Sequence, residues 1–185
     1  PGSSSSGSAA AVADRMCPLA VGTQTGGSII RPAAFCGLVG LKPSHDWIAW
    51  RNARDFAPSF DVAGLLTRDV ADLQLAMHAL TGRAGYDPEG AVPETLTVGL
   101  ARTADWSRAP GYVHDAFART AARLARAGLA VREIDLPADY DQLSDAQHLI
   151  VQYETARLFD WELGAARERL DTGVRELLEE GLAID

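Results

Sequence analysis

Gly22-Thr-Gln-Thr-Gly-Gly-Ser-Ile-Ile-Arg31 decides how this chain is read. The apolar run Pro18-Leu-Ala-Val21 leads into it as a short buried strand, and Ile29 to Phe35 read as the start of a helix. Between them Thr25, Gly26, Gly27 and Ser28 form a turn without bulky side chains. Paired glycines admit positive φ and let a ligand approach the main chain closely. A turn at a helix start aims several N–H groups at one point, which suits a developing negative charge. Ser28 stands beside those donors, where a nucleophile has to be. The plainer reading of the same residues is a tight strand-to-helix turn closed by an N-capping serine.

The residues before the turn bear on that choice. Gly2-Ser3-Ser4-Ser5-Ser6-Gly7-Ser8 has the composition of a flexible linker, yet it runs directly into Ala9-Ala-Ala-Val-Ala13, a strong helix former. The serines are therefore expected to precede and cap a buried helix. A serine cluster, a small-residue helix, a short strand and then Thr-Gly-Gly-Ser is a specific order of parts.

Residues 2–43 together, through Pro32-Ala-Ala-Phe-Cys-Gly-Leu-Val-Gly-Leu-Lys-Pro43, resemble the signature of the amidase signature family. The resemblance implies an α/β fold in which a mixed, twisted β-sheet is flanked by helices on both faces, present here in part. It implies a serine nucleophile, a second serine on a cis peptide bond, and a lysine. The nucleophile is then Ser28. The second serine, twenty-four positions earlier, is Ser4, with Ser3 where relatives commonly carry glycine. The implied oxyanion hole is Thr25, Gly26, Gly27 and Ser28; Ser5 and Asp61 support the site, and Arg31, Thr23 and Gln24 contact substrate. The motif is closest to the malonamidase-like branch, where an arginine at the position of Arg31 holds a substrate carboxylate.

The chemistry explains the parts. A serine hydroxyl is a poor nucleophile until a base takes its proton. No histidine lies near the motif, so a Ser-His-Asp triad is not readable. The resemblance supplies instead a neutral lysine, with Ser4 relaying the proton. That lysine lies upstream of the second serine in the family. Lys42, the sole lysine here, follows the nucleophile and is not at that position. Pro1 is not a methionine, so the chain reads as an internal fragment.

At 185 residues and 47% hydrophobic content the chain can bury one sizeable core. A net charge of −8 argues against nucleic acid and against an anionic membrane surface. Cys17 and Cys36, each with apolar neighbours, read as free thiols of a cytoplasmic protein. No His/Cys/Asp cluster has ligand spacing, so no metal or organic cofactor is implied.

Residues 1–185 read as one partial amidase domain: a signature core over 1–82, and a βαβ and helical continuation over 83–185. Leu38-Val-Gly-Leu41 is expected as another buried strand, and 44–58, with Trp47 and Trp50, as a surface loop. Asp61 in Ser59-Phe-Asp-Val-Ala-Gly64 is expected either to orient the nucleophile turn or to cap a local one. Thr67 is expected to N-cap a helix with Val70, Leu73, Met77 and Leu80 inward, closed by Gly82. Residues 83–94 read as a connection. Leu96, Val98 and Leu100 alternate as a strand; a helix from Tyr112 to Ala127 and a strand from Val131 to Leu136 complete a βαβ unit. Asp141 to Leu163 and Arg167 to Asp185 read as helices, the first with Ala146, Leu149, Ile150, Tyr153 and Leu158 inward.

The expected activity is hydrolysis of a small-molecule carboxamide to a carboxylate and ammonia. The alternatives are the glutamine-hydrolysing component of a tRNA amidotransferase, which has protein partners, and a non-catalytic binding remnant. A homodimer through the helical half is the expected assembly.

Overall fold

The computed structural model describes residues 2–49, 52–82 and 96–185; Trp50, Arg51 and the 83–94 connection lie outside the described residues. The chain divides into two compact units, Pro1–Pro88 with His148–Asp185, and Glu89–Gln147. The helices at the C-terminal end thus group with the residues around Ser28.

The first unit is built on one strand. Val62-Ala-Gly-Leu-Leu-Thr67 forms β3, buried at every position. On one edge it pairs antiparallel with β1 (Leu19–Gln24), on the other with β2 (Val39–Leu41). Successive side chains of a strand point to opposite faces, so Leu66 and Leu65 enter different cores. Leu66 packs with Ala9 of α1 (Ser6–Ala13) and with Ile29 and Ala33 at α2 (Ile30–Cys36). Leu65 packs with Ala76 and Met77 of α3 (Val70–Thr81). Helices on both faces of the sheet are the expected α/β arrangement.

Glycine sets how closely the first pair of helices lies. A Cβ on Gly64 would stand 2.2 Å from the Leu41 carbonyl oxygen and 2.6 Å from Ile29 Cδ1. On Gly22 it would meet Ser5 Oγ at 2.9 Å. The requirement at both is space, not unusual backbone.

Several local expectations are corrected. β1 runs on past Val21 through Gly22, Thr23 and Gln24, and it is not a buried strand: Leu19 is 37% and Val21 53% exposed. Being an edge strand covered on one face, it buries only alternate residues. β2 is half-buried. α1 begins at Ser6, not at Ala9, and Ser5 does not cap it with its side chain, which is occupied by Thr23. Thr67 ends β3, and Asp69 caps α3 by accepting from Asp72 N. Gly82 closes α3 with φ +59 as expected, but Val70 and Leu80 are exposed.

In the second unit β4 (Thr97–Ala101) and β5 (Ala130–Ile134) pair in parallel, with α4 (Gly111–Arg126) between them in sequence. A parallel pair joined through a helix is the expected βαβ unit. Val113, Phe117, Ala121 and Leu124 are half-buried, Ala116 is exposed, and no α4 residue is fully buried. Trp106 stacks on His114 at 4.4 Å and meets Phe117 edge-on at 4.9 Å.

The expected helix over 141–163 is two. α5 (Leu143–Leu158) ends before Phe159, and α6 (Asp160–Ala166) follows. The predicted apolar stripe of α5 faces outward: Ala146, Leu149, Ile150, Tyr153 and Leu158 are all exposed, while Thr155 and Ala156 are buried. Small residues win because α7 (Thr172–Leu182) comes very close. A Cβ on Gly181 would stand 2.1 Å from Gln152 O and 2.7 Å from Ala156 Cβ.

Candidate functional site

β1 delivers the chain to the turn at Gln24, and α2 takes it away from Ile30. A helix start leaves its first N–H groups without intrahelical partners. Gln24 Oε1 accepts two of them, Ile29 N at 3.0 Å and Ile30 N at 3.1 Å. Gln24 is buried, and its side-chain carbonyl faces the backbone. Neither Gly26 nor Gly27 takes a positive φ; the absence of side chains, not left-handed backbone, is what the pair supplies.

Ser28 is half-buried, and its Oγ lies 3.3 Å from Ser3 Oγ. The hydroxyl beside it is thus Ser3, whereas Ser4, which the resemblance points to, is exposed. The Ser3–Ser4 bond is trans; there is no cis peptide among the described residues. Ser5 is buried and holds β1 at one residue: its Oγ accepts from Thr23 N at 3.2 Å and donates to Thr23 O at 3.3 Å. Thr23 itself is exposed. Ser8 adds a bond to Val21 O at 3.0 Å.

Arg31 is exposed; its N donates to Gly27 O at 3.0 Å, and its side chain forms no hydrogen bond or ion pair among the described residues. Its guanidinium lies over the turn, with Nε and Nη2 each 3.7 Å from where a Gly27 Cβ would stand. A free guanidinium at that place can grip a carboxylate bidentately.

Asp61 is a buried carboxylate with three donors. Oδ1 accepts from Thr25 Oγ1, and Oδ2 from Phe56 N at 2.6 Å and Ala57 N at 2.8 Å. Burial of a charge is tolerable when its oxygens are so occupied. Asp61 thus ties a local turn at Phe56 and Ala57 and also reaches Thr25 in the glycine turn. That local turn is held in its own right by α5. Thr155 Oγ1 donates to Phe56 O at 2.8 Å, and Ser59 donates through N, at 3.0 Å, and Oγ to the Glu154 carboxylate. Arg54 pairs with Glu162, donates to Leu158 O at 3.2 Å and lies 4.0 Å over the Phe159 ring. The hydrogen bond from Arg54 holds the Glu162 carboxyl below its ordinary range.

Two further charged side chains have local partners. Lys42 Nζ donates to Pro43 O at 2.8 Å. His45 Nε2 lies 2.9 Å from Pro58 O and its Nδ1 3.2 Å from Asp46. The Pro58 carbonyl, then Asp46, raises the imidazole pKa above its ordinary value. The second unit has a cavity of about 330 Å³ lined by Arg102, Glu133, Asp135 and Asp141 among others, none of them a candidate residue. Sequence reasoning does not single out Ser3, Glu154 or Thr155 as partners of the site. Their contacts span 25 to 99 positions, and no local pattern encodes such pairs.

Comparison with known proteins places the chain in a family. The family model described as Amidase matches residues 1–177, and the chain belongs to that family. It is 42% identical over 154 residues to a glutamyl-tRNA(Gln) amidotransferase component of Rubrobacter xylanophilus, covering 74% of this chain and 31% of that protein. A crystal structure of an amidase superposes with a TM-score of 0.85 at 34% identity, over 97% of this chain and 40% of that one. The native peptide amidase of Stenotrophomonas maltophilia gives 0.74 at 29% identity, over 98% and 44%. The chain thus spans about a third of the curated relative. Among the described residues no helix is long and apolar enough to cross a membrane.

Proposed function

We propose that this chain carries the nucleophile half of an amidase active site. Ser28 Oγ attacks the carboxamide carbon, and its proton passes through a neighbouring serine hydroxyl to a lysine base other than Lys42. The N–H groups of Thr25, Gly26, Gly27 and Ser28 receive the tetrahedral oxyanion, the amine leaves as ammonia, and water frees the acid from Ser28. The observation that carries this reading is the Ser28–Ser3 hydroxyl pair at 3.3 Å beside a turn without bulky side chains. Arg31 favours substrates bearing a carboxylate. Ser4 remains the relay implied by the resemblance and Ser3 the one favoured by geometry; alanine variants of each decide between them.

A second reading is favoured by the amidotransferase relative: glutamine hydrolysis feeding a tRNA amidotransferase, with Arg31 on the glutamine carboxylate. In either case the setting proposed is the cytoplasm, with a small amide as ligand and neither nucleic acid nor membrane bound by this chain. The exposed apolar side chains of α5 support a homodimer in the first reading and contacts with partner proteins in the second. The test is ammonia release from a panel including malonamate and glutamine, by the intact protein and its Ser28→Ala variant. Release that the variant lacks is expected. Folded protein with no release above the variant moves the binding-remnant reading ahead.

A further inference from the structure

We infer that Gln24 is a positioning residue for the oxyanion turn, acting through the backbone and touching no substrate. The inference deepens the amidase reading and its kinetic arm rests on it. Gln24 is the last residue of β1 and lies on the covered face of that strand, the face it shares with Leu66. Its Oε1 accepts from Ile29 N and Ile30 N at 3.0 and 3.1 Å, so one side chain closes the arc from the end of the strand to the start of the helix. The four residues inside that arc are Thr25, Gly26, Gly27 and Ser28.

Hydrogen-bond accounting has two consequences here. First, the leading amides of α2 are already satisfied and are not free to bind an anion, so oxyanion donors have to come from within the arc. Second, those donors sit on a segment with two glycines and little side-chain packing of its own. Its shape depends on where its ends are pinned. The far end is fixed by Gln24 and by the Arg31 N to Gly27 O bond at 3.0 Å; the near end is fixed by Ser5 on Thr23 and Asp61 on Thr25. Gln24 bridges both ends. An acceptor that is uncharged also places no negative charge beside a site that must stabilise one.

The test has two arms. In the wild-type protein, the Ile29 and Ile30 amide protons are expected to exchange slowly, and in Gln24→Leu at least tenfold faster while the amides of β3 stay protected. Fast exchange of both protons in the wild type overturns the inference whether or not the protein is an amidase. In kinetics, Gln24→Leu is expected to lower kcat on the order of 100-fold, the cost of misplacing catalytic groups by about an ångström, with KM within about threefold. Gln24→Glu keeps an oxygen acceptor for both N–H groups and is expected to restore slow exchange, while its charge beside the oxyanion keeps kcat below wild type. A rise in KM with kcat unchanged makes Gln24 a substrate contact and overturns the proposal; so does a Glu variant whose Ile29 and Ile30 amides exchange as fast as those of the Leu variant. Should Gln24→Leu fail to fold, the wild-type exchange and the Glu variant still decide. Should Ser28→Ala show that the protein releases no ammonia, the amidase reading fails while the exchange arm stands on its own.

Discussion

The two units spend the same kinds of residue differently. In the first, every position of β3 is buried, and glycines at 22 and 64 draw α1 and α2 against the sheet. In the second, α4 has a cleaner amphipathic pattern in sequence yet buries no residue completely. Close backbone approach, not the strength of a hydrophobic stripe, separates a strand-and-helix core that can hold a catalytic turn from one that is only assembled. Candidate chemistry collects in the first unit, where Ser28, Ser3, Gln24 and Asp61 are held by hydrogen bonds.

The sharpest break of that contrast is Ser28→Ala. It is expected to lower ammonia release at least ~1000-fold with the unfolding midpoint unchanged, since residues that act as a catalytic unit fail together. Equal loss from a substitution in the second unit that leaves the fold intact would remove the distinction. Next comes packing. Leu66→Ala is expected to cost about 2–5 kcal/mol in urea unfolding, against about 1 kcal/mol for Leu124→Ala on the half-buried face of α4. Matching values would show that burial in the two units is equivalent.

Asp61→Asn tests whether the site depends on its neighbours. It removes a charged acceptor from Thr25, Phe56 and Ala57, and is expected to cost about 1–3 kcal/mol together with a fall in kcat. A stability loss with kcat unchanged would confine Asp61 to its local turn. Arg31→Leu is narrower. It is expected to raise KM about tenfold for amides that bear a carboxylate, the effect of losing one charge-assisted pair, and to leave neutral amides unaffected. The smallest effect is on pH. The His45 pKa is raised, so its contribution is complete below the ordinary value of 6.5 and declines as pH rises through the raised one. Being exposed, it should tilt the stability profile only slightly, and His45→Gln should flatten that slope.

Legibility followed the range of the interactions. The order of parts from the serine cluster to Arg31 is readable because a turn and its flanking elements are written in adjacent residues. The βαβ unit is readable from alternation followed by helical period. β3 is not legible as a strand, because a segment buried on both faces shows no alternation, and Gly64 and Thr67 invite readings as turn and cap. The stripe on α5 is legible and misleading: Leu149 and Ile150 have the spacing of an inward face, but Gly181 lets α7 take the side of Thr155 and Ala156.

Sequence by itself determined the turn over 25–28, the helix that follows it and the α/β class. These rest on local backbone preferences and on side chains a few positions apart. Tertiary structure alone decided which hydroxyl meets Ser28, that Gln24 turns to the amides of Ile29 and Ile30, and that Asp61 serves two turns at once. Each of those depends on a hydrogen bond whose partner is chosen by packing. A donor or acceptor is visible in the sequence, while the group it faces is set only when the chain has closed around it.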